Sequence, residues 1–154
     1  MLSPNPYHPL PADYTELTRE GQRLARVAAC TKQDTPADLV DAWSFFRAYY
    51  LRQNSFYKRW KPSPRFHFEI VRDLGQHSHN AIAAPRSSAK STVLGAEIPL
   101  LLALTRPRFR TLLILPTVRR ATDRMVTVIG AQLDTNPYII EDFGNQRMPH
   151  GRGV

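Results

Sequence analysis

Apolar residues along this chain follow two different spacings. In the first half they recur at helical intervals. Leu17, Leu24, Val27 and Ala28 make a weak stripe over residues 13–31, with Arg19, Arg23 and Arg26 between them, and predict a helix that Gly21 weakens. Leu39, Ala42, Trp43, Phe46, Tyr49 and Tyr50 mark a stronger one. Thr35 is its natural N-cap, Pro36 falls at its first position and Asp38 places a negative charge in its first turn. Trp43 and Phe46 suit a packing face better than a base-stacking platform. Phe66, Ile70 and Leu74 predict a short third helix over residues 66–74, with Gly75 as its stop.

The second half reads differently. Residues 81–84 form a short apolar strand candidate bounded by turn residues, and Thr111–Leu115 (TLLIL) is a continuous apolar run. Such a run is expected of a parallel strand buried on both faces. Between them, residues 90–104 predict a helix with Val93, Leu94, Ile98, Leu101 and Leu102 on a broad apolar side, which Pro99 should kink or interrupt. Thr117 can cap a further helix over residues 118–133, with Ala121, Met125, Val128, Ile129 and Gln132 at helical spacing. Asn136-Pro137 breaks it, and residues 138–143 read as one more short turn. Strand, loop, helix, strand and helix predict an α/β second half with a right-handed crossover.

Punctuation divides the chain into four parts. Residues 1–12 carry four prolines and no periodicity, as in a disordered arm. A helical region is expected over 13–63, an α/β domain over 64–144 and an irregular tail over 145–154, with the stretch 54–65, which carries two prolines and four basic residues, as linker. Lysine and arginine total 21 against 13 acidic residues, a net charge of +8 that suits either a polyanionic partner or a generally solvated basic surface. Cys30 is the lone cysteine, which excludes an internal disulfide and a cysteine-built metal site. His67, His77 and His79 have no carboxylate or cysteine at ligand spacing, so zinc is not expected. No signal-peptide pattern opens the sequence, and the longest apolar run is far too short to span a bilayer.

The most informative stretch is Ala84-Pro85-Arg86-Ser87-Ser88-Ala89-Lys90-Ser91, followed by Thr92. Its spacing is that of the phosphate-binding loop G-x-x-x-x-G-K-[ST], with alanine at both glycine positions. Such loops turn successive backbone N–H groups into one concavity at a positive helix terminus. Lys90 then fits the lysine that reaches the outer phosphates, and Ser91 the hydroxyl that ligates Mg²⁺. A methyl group at Ala84 or Ala89 permits close backbone approach but penalises any position that needs positive φ. Arg86 reads equally as a solvent-exposed turn residue and as a cation beside a γ-phosphate.

APRSSAKST resembles the variant loop of terminase large subunits, the DNA-packaging motors of tailed bacteriophages, where a Pro-Arg pair precedes the lysine and alanine is tolerated just before it. The likeness extends over residues 64–144, through RFHFEIVRDL upstream and TLLILPTVRRATDRMVTVIGAQLDTNPYIIEDFG downstream. It implies a P-loop NTPase-like three-layer parallel sheet core behind an α-helical N-terminal region. It also implies ATP and Mg²⁺ as cofactors, with Ala84 through Thr92 as the nucleotide-binding loop. Lys90 and Arg86 would be its catalytic cations, and residues 66–76 would lie near the base. Double-stranded DNA, the small terminase subunit, the portal protein and a homo-oligomeric ring would be partners in the host cytoplasm, with no membrane.

The sequence also departs from that pattern. An apolar strand ending in paired acidic residues, which should hold Mg²⁺ and activate water, has no counterpart, because after Leu133 only Asp134, Glu141 and Asp142 remain. Clustered acidic nuclease ligands are likewise missing. The expectation is therefore an N-terminal piece of the motor, able to bind nucleotide but not to turn it over alone. Another P-loop ATPase of helicase-like kind, or a non-catalytic basic DNA-binding adaptor, stands as the alternative.

Overall fold

A computed structural model describes residues 9–52, 62–112, 114 and 117–146. Among them every regular element is helical, and there is no strand or sheet. A 3₁₀ turn at Tyr14–Glu16 leads into α1 (Arg19–Thr31), capped by Thr18, whose hydroxyl accepts from the Gly21 N–H. Helix α2 (Pro36–Phe46) begins with a full capping box. The Asp38 N–H donates to Thr35 Oγ1 at 3.1 Å, and the Thr35 N–H donates to Asp38 Oδ2 at 3.0 Å. The helix runs on through a π stretch, Arg47–Leu51. Helix α3 is Arg65–Gln76.

Two longer rods follow. In the first, α4 (Lys90–Thr92), a π stretch (Val93–Glu97) and α5 (Ile98–Thr105) continue without a break. Pro99 therefore does not end the helix; the widened turn sits directly before the residue that cannot donate to the carbonyl four places back. In the second, α6 (Val118–Thr122), a π stretch (Asp123–Gly130) and α7 (Ala131–Thr135) lead to Asn136. Asn136 caps α8 (Pro137–Phe143), its side-chain oxygen accepting from the N–H groups of Tyr138 and Ile139.

The core is centred on α2. Trp43, Phe45, Phe46, Tyr50 and Leu51 are buried, as are Leu39, Val40 and Ala42, so the helix is covered on nearly every side. The Trp43 ring meets Phe68 of α3 edge-on at 5.3 Å between centroids, which fixes its role as packing. Val71, Val93, Leu100, Leu101 and Ile139 close the cluster from α3, the first rod and α8. Gly75 does not stop α3 but lies inside it. A Cβ there would sit 3.0 Å from Pro36 Cα, so the absent side chain lets α3 lie against the start of α2.

The expectation of an α/β second half, with a three-layer parallel sheet of P-loop NTPase type, is corrected. Residues 81–84 are irregular, and so are Thr111, Leu112 and Ile114 of the second expected strand. Leu112 and Ile114 are 84% and 81% exposed where burial on both faces was expected; Leu113 and Leu115 lie outside the described residues. The physical reason is size. Two strands of four and five residues make one short parallel pair, too little for an independent sheet, and the apolar helix faces that could cover it are spent on α2. Residues 138–143, expected as a turn, are part of a capped helix. Of the linker expected over 54–65, residues 54–61 lie outside the described residues and Arg65 opens α3; most of the N-terminal arm and most of the tail also lie outside them. No helix among the described residues is long and apolar enough to cross a membrane.

Candidate phosphate-binding loop

The loop 84–92 connects the irregular segment after α3 to the first rod. Its backbone is unusual at two places. Ser87 has φ of 63° and Ala89 has φ of 58°, and these are the non-glycine residues in the left-handed region among those described. Each costs on the order of 1 kcal/mol or more relative to a glycine. Ala89 occupies the second glycine position of the phosphate-loop spacing, where the sequence foresaw a penalty. The strain is held because Ala89 is also the N-cap of the rod: its carbonyl accepts from the N–H groups of Thr92 at 2.9 Å and Val93 at 3.1 Å. Helical pairing thus starts at Thr92, and the amides before it lie at the open positive end.

Lys90 curls back over the loop it follows. Its Nζ donates to the carbonyl of Ala84 at 2.6 Å and to that of Pro85 at 3.3 Å. Two of the ammonium's three donors are used in this closure, so the lysine both braces the loop and keeps its charge at the mouth of the helix. Arg86 is exposed, and no described hydrogen bond or ion pair involves it. Ser87 and Ser91 are exposed as well, while Ser88 and Thr92 are half-buried. Between Asp73 and Glu97 the sequence has no carboxylate, so the stretch that carries Arg86 and Lys90 is cationic.

One contact was not legible in the sequence. His67 of α3 is 3% exposed, and its Nε2 lies 2.6 Å from the Ser88 carbonyl oxygen. A carbonyl only accepts, so Nε2 carries the hydrogen. The other ring nitrogen and the Ser88 hydroxyl are both buried without a partner. Helical spacing put His67 beside Phe66 on α3, and only the fold brings it to the loop.

The donor set fits a polyphosphate: backbone amides at a helix start, a lysine, an arginine and several hydroxyls. For Mg²⁺ the fit rests on the exposed Ser91 hydroxyl, which suits an ion held mainly by phosphate oxygens and water. Among the described residues no group of three or more His, Cys, Asp or Glu is placed to hold a metal by itself.

Two buried charge clusters lie away from the loop. Glu97, in the first rod, accepts from Trp43 Nε1 at 2.9 Å and from Arg47 Nε at 3.2 Å. Asp142 of α8 is gripped in bidentate fashion by Arg26, at 2.7 and 2.6 Å, and accepts from the Tyr50 hydroxyl at 2.6 Å. Arg26 reaches Tyr14 Oη as well and lies over the Tyr49 ring. The Asp142 carboxylate pushes the Arg26 pKa up, burial raises the Tyr50 phenol well above its usual value, and burial takes the Tyr49 phenol to about 12. Burial also raises the Cys30 thiol. Arg26, Cys30, Tyr49 and Tyr50 therefore keep their protons at neutral pH, as structural pins do. No protein-family model matches the chain, and no curated protein and no solved structure matches it.

Proposed function

We propose that residues 84–92 bind the phosphates of ATP, with Mg²⁺ at Ser91, and that the chain serves the ATPase part of a DNA-packaging motor of the terminase large-subunit kind. The observation that carries the reading is the loop itself. Ala89 is left-handed at the second glycine position, and Lys90 opens a helical rod directly after a Pro-Arg-containing turn. The parallel sheet is no part of this support. Lys90 and Arg86 supply charge to the outer phosphates, and Ser87, Ser91 and Thr92 add hydroxyls within the same stretch. Residues 66–76 touch the loop through His67, which supports a role in shaping it rather than in reading a base.

The test is a thermal shift with Mg²⁺–ATP. Stabilisation by about 2.7 kcal/mol is expected at one hundred times the dissociation constant, and Lys90→Ala should abolish it. Binding without steady turnover is expected, because no carboxylate accompanies the loop in sequence. Steady hydrolysis that disappears in Lys90→Ala would refute that half of the proposal.

A second reading has its own observation. Arg106, Arg108, Arg110, Arg119 and Arg120 are all exposed, and no acidic residue lies between Glu97 and Asp123. This suits contact with a polyanion such as double-stranded DNA. Binding through these arginines should weaken steeply with salt. If DNA binds so while ATP produces no shift, the chain is a basic adaptor.

A further inference from the structure

We propose that His67 is the positioning residue that sets the anion-facing conformation of the loop, holding the Ser88 carbonyl to α3 so that the Ala89 amide of the same peptide turns toward the helix mouth. The inference rests on the phosphate-loop reading above, but its geometric half stands independently of any nucleotide.

Ser88 lies between the two left-handed residues, Ser87 and Ala89. The Ser88–Ala89 peptide is held by whatever fixes its carbonyl, because turning that plane over reverses the direction of the Ala89 N–H. In this chain the hold is a single 2.6 Å hydrogen bond from a ring that is 3% exposed. The ring is itself packed against Phe66, with centroids 4.4 Å apart. Lys90 braces the loop's first two carbonyls, Ala84 and Pro85, and leaves Ser88 untouched. Without His67, the Ser88 carbonyl has no other described partner. The left-handed conformations at Ser87 and Ala89 then lose one of the contacts that offset their strain. Leaving Nδ1 and the Ser88 hydroxyl buried without partners is unfavourable. The arrangement is therefore one a purely structural histidine on α3 does not need.

The test compares wild type, His67→Gln and His67→Leu. Glutamine can place an amide donor near the position of Nε2; leucine fills the space without one. In wild type, ¹⁵N spectra of the ring should show the hydrogen on Nε2. Backbone ¹³C shifts of Ser87 and Ala89 should report the left-handed conformation in wild type and in His67→Gln. They should move toward coil values in His67→Leu, while the methyl signals of Val71 and Ile139 stay put. Binding of Mg²⁺–ATP should be close to wild type in His67→Gln and about tenfold weaker in His67→Leu. Unchanged Ser87 and Ala89 shifts in a folded His67→Leu overturn the proposal, as does a ring with its hydrogen on Nδ1. If those shifts move as stated and wild type binds no ATP, the positioning role stands and the nucleotide reading fails.

Discussion

Asp142→Asn tests whether the α1–α8 junction is held by a buried charge pair. The carboxylate is 1% exposed and its partner Arg26 6% exposed. It accepts three hydrogen bonds of 2.7 Å or less, two from Arg26 and one from Tyr50. Asparagine keeps the shape but removes the charge, and turns an amide donor toward a guanidinium that can only donate. Arg26 then keeps one neutral acceptor in the amide oxygen, with Tyr14 Oη at 2.9 Å and the Tyr49 face at 5.3 Å, and loses its counter-charge. Removing one member of a buried pair typically costs about 3–5 kcal/mol, because the other charge stays buried without compensation. Against a total stability of about 5–15 kcal/mol for a domain, this is a large fraction.

The assay is urea unfolding followed by far-UV circular dichroism. With a slope of about 2 kcal/mol per molar, the midpoint should fall by roughly 2 M. Glu141→Gln is the control, since its pair with Arg19 is largely solvent-exposed and should contribute no more than about 1 kcal/mol. The double substitution Arg26→Met with Asp142→Leu should recover most of the loss, because a well-packed apolar pair incurs no desolvation cost. An Asp142→Asn protein as stable as the Glu141→Gln control would refute the argument.

Two further outcomes are expected. Hydrogen bonds from Thr35, with help from Lys32, hold the Asp38 carboxyl below its ordinary value of 3.8. A depressed carboxylate stabilises the fold above that value and stops doing so as pH falls through its lowered one. The melting temperature of Asp38→Ala should therefore lie below wild type at neutral pH and converge with it in acid; a constant gap would contradict the capping-box account. Gly75→Ala should destabilise the protein by about 1–3 kcal/mol through overpacking against Pro36, outweighing the gain in helix propensity of about 1 kcal/mol. A raised melting temperature would show that α3 can move away from α2 freely.

The helices were legible because their signals are local. Thr35, Pro36 and Asp38 announce α2 in three residues, and the aromatic spacing that follows needs no partner to be read. The strands were misread for the converse reason. An apolar run such as Thr111–Leu115 specifies a strand only if neighbours exist to pair with it and layers exist to cover it, and neither is written in the run itself. Pro99 was expected to kink or interrupt its helix, and the change from a π stretch to an α segment falls at the residue before it. At the loop, the spacing identified Lys90 and the strain at Ala89. It gave no hint of His67, which lies 21 residues before Ser88 and meets it only through α3 packing. Nor could it pair Arg26 with Asp142 across 116 positions.

The two buried clusters and the loop belong to one argument about rigidity. Glu97 lies two helical turns beyond Lys90, about 10 Å along the rod, and is fastened to α2 through Trp43 and Arg47. The rod is thus anchored to the helix at the centre of the core among the described residues. The loop before it is mostly exposed and rests on three carbonyl contacts: Ala84 and Pro85 to Lys90, and Ser88 to His67. Regions with few buried apolar contacts open at the smallest free-energy cost. Any rearrangement on ligand binding should therefore be confined to residues 84–89, with the helix that carries Lys90 staying fixed. A firm helix start behind a lightly held rim is the arrangement that an anion-binding loop requires, since the fixed dipole supplies the field and the rim supplies the fit.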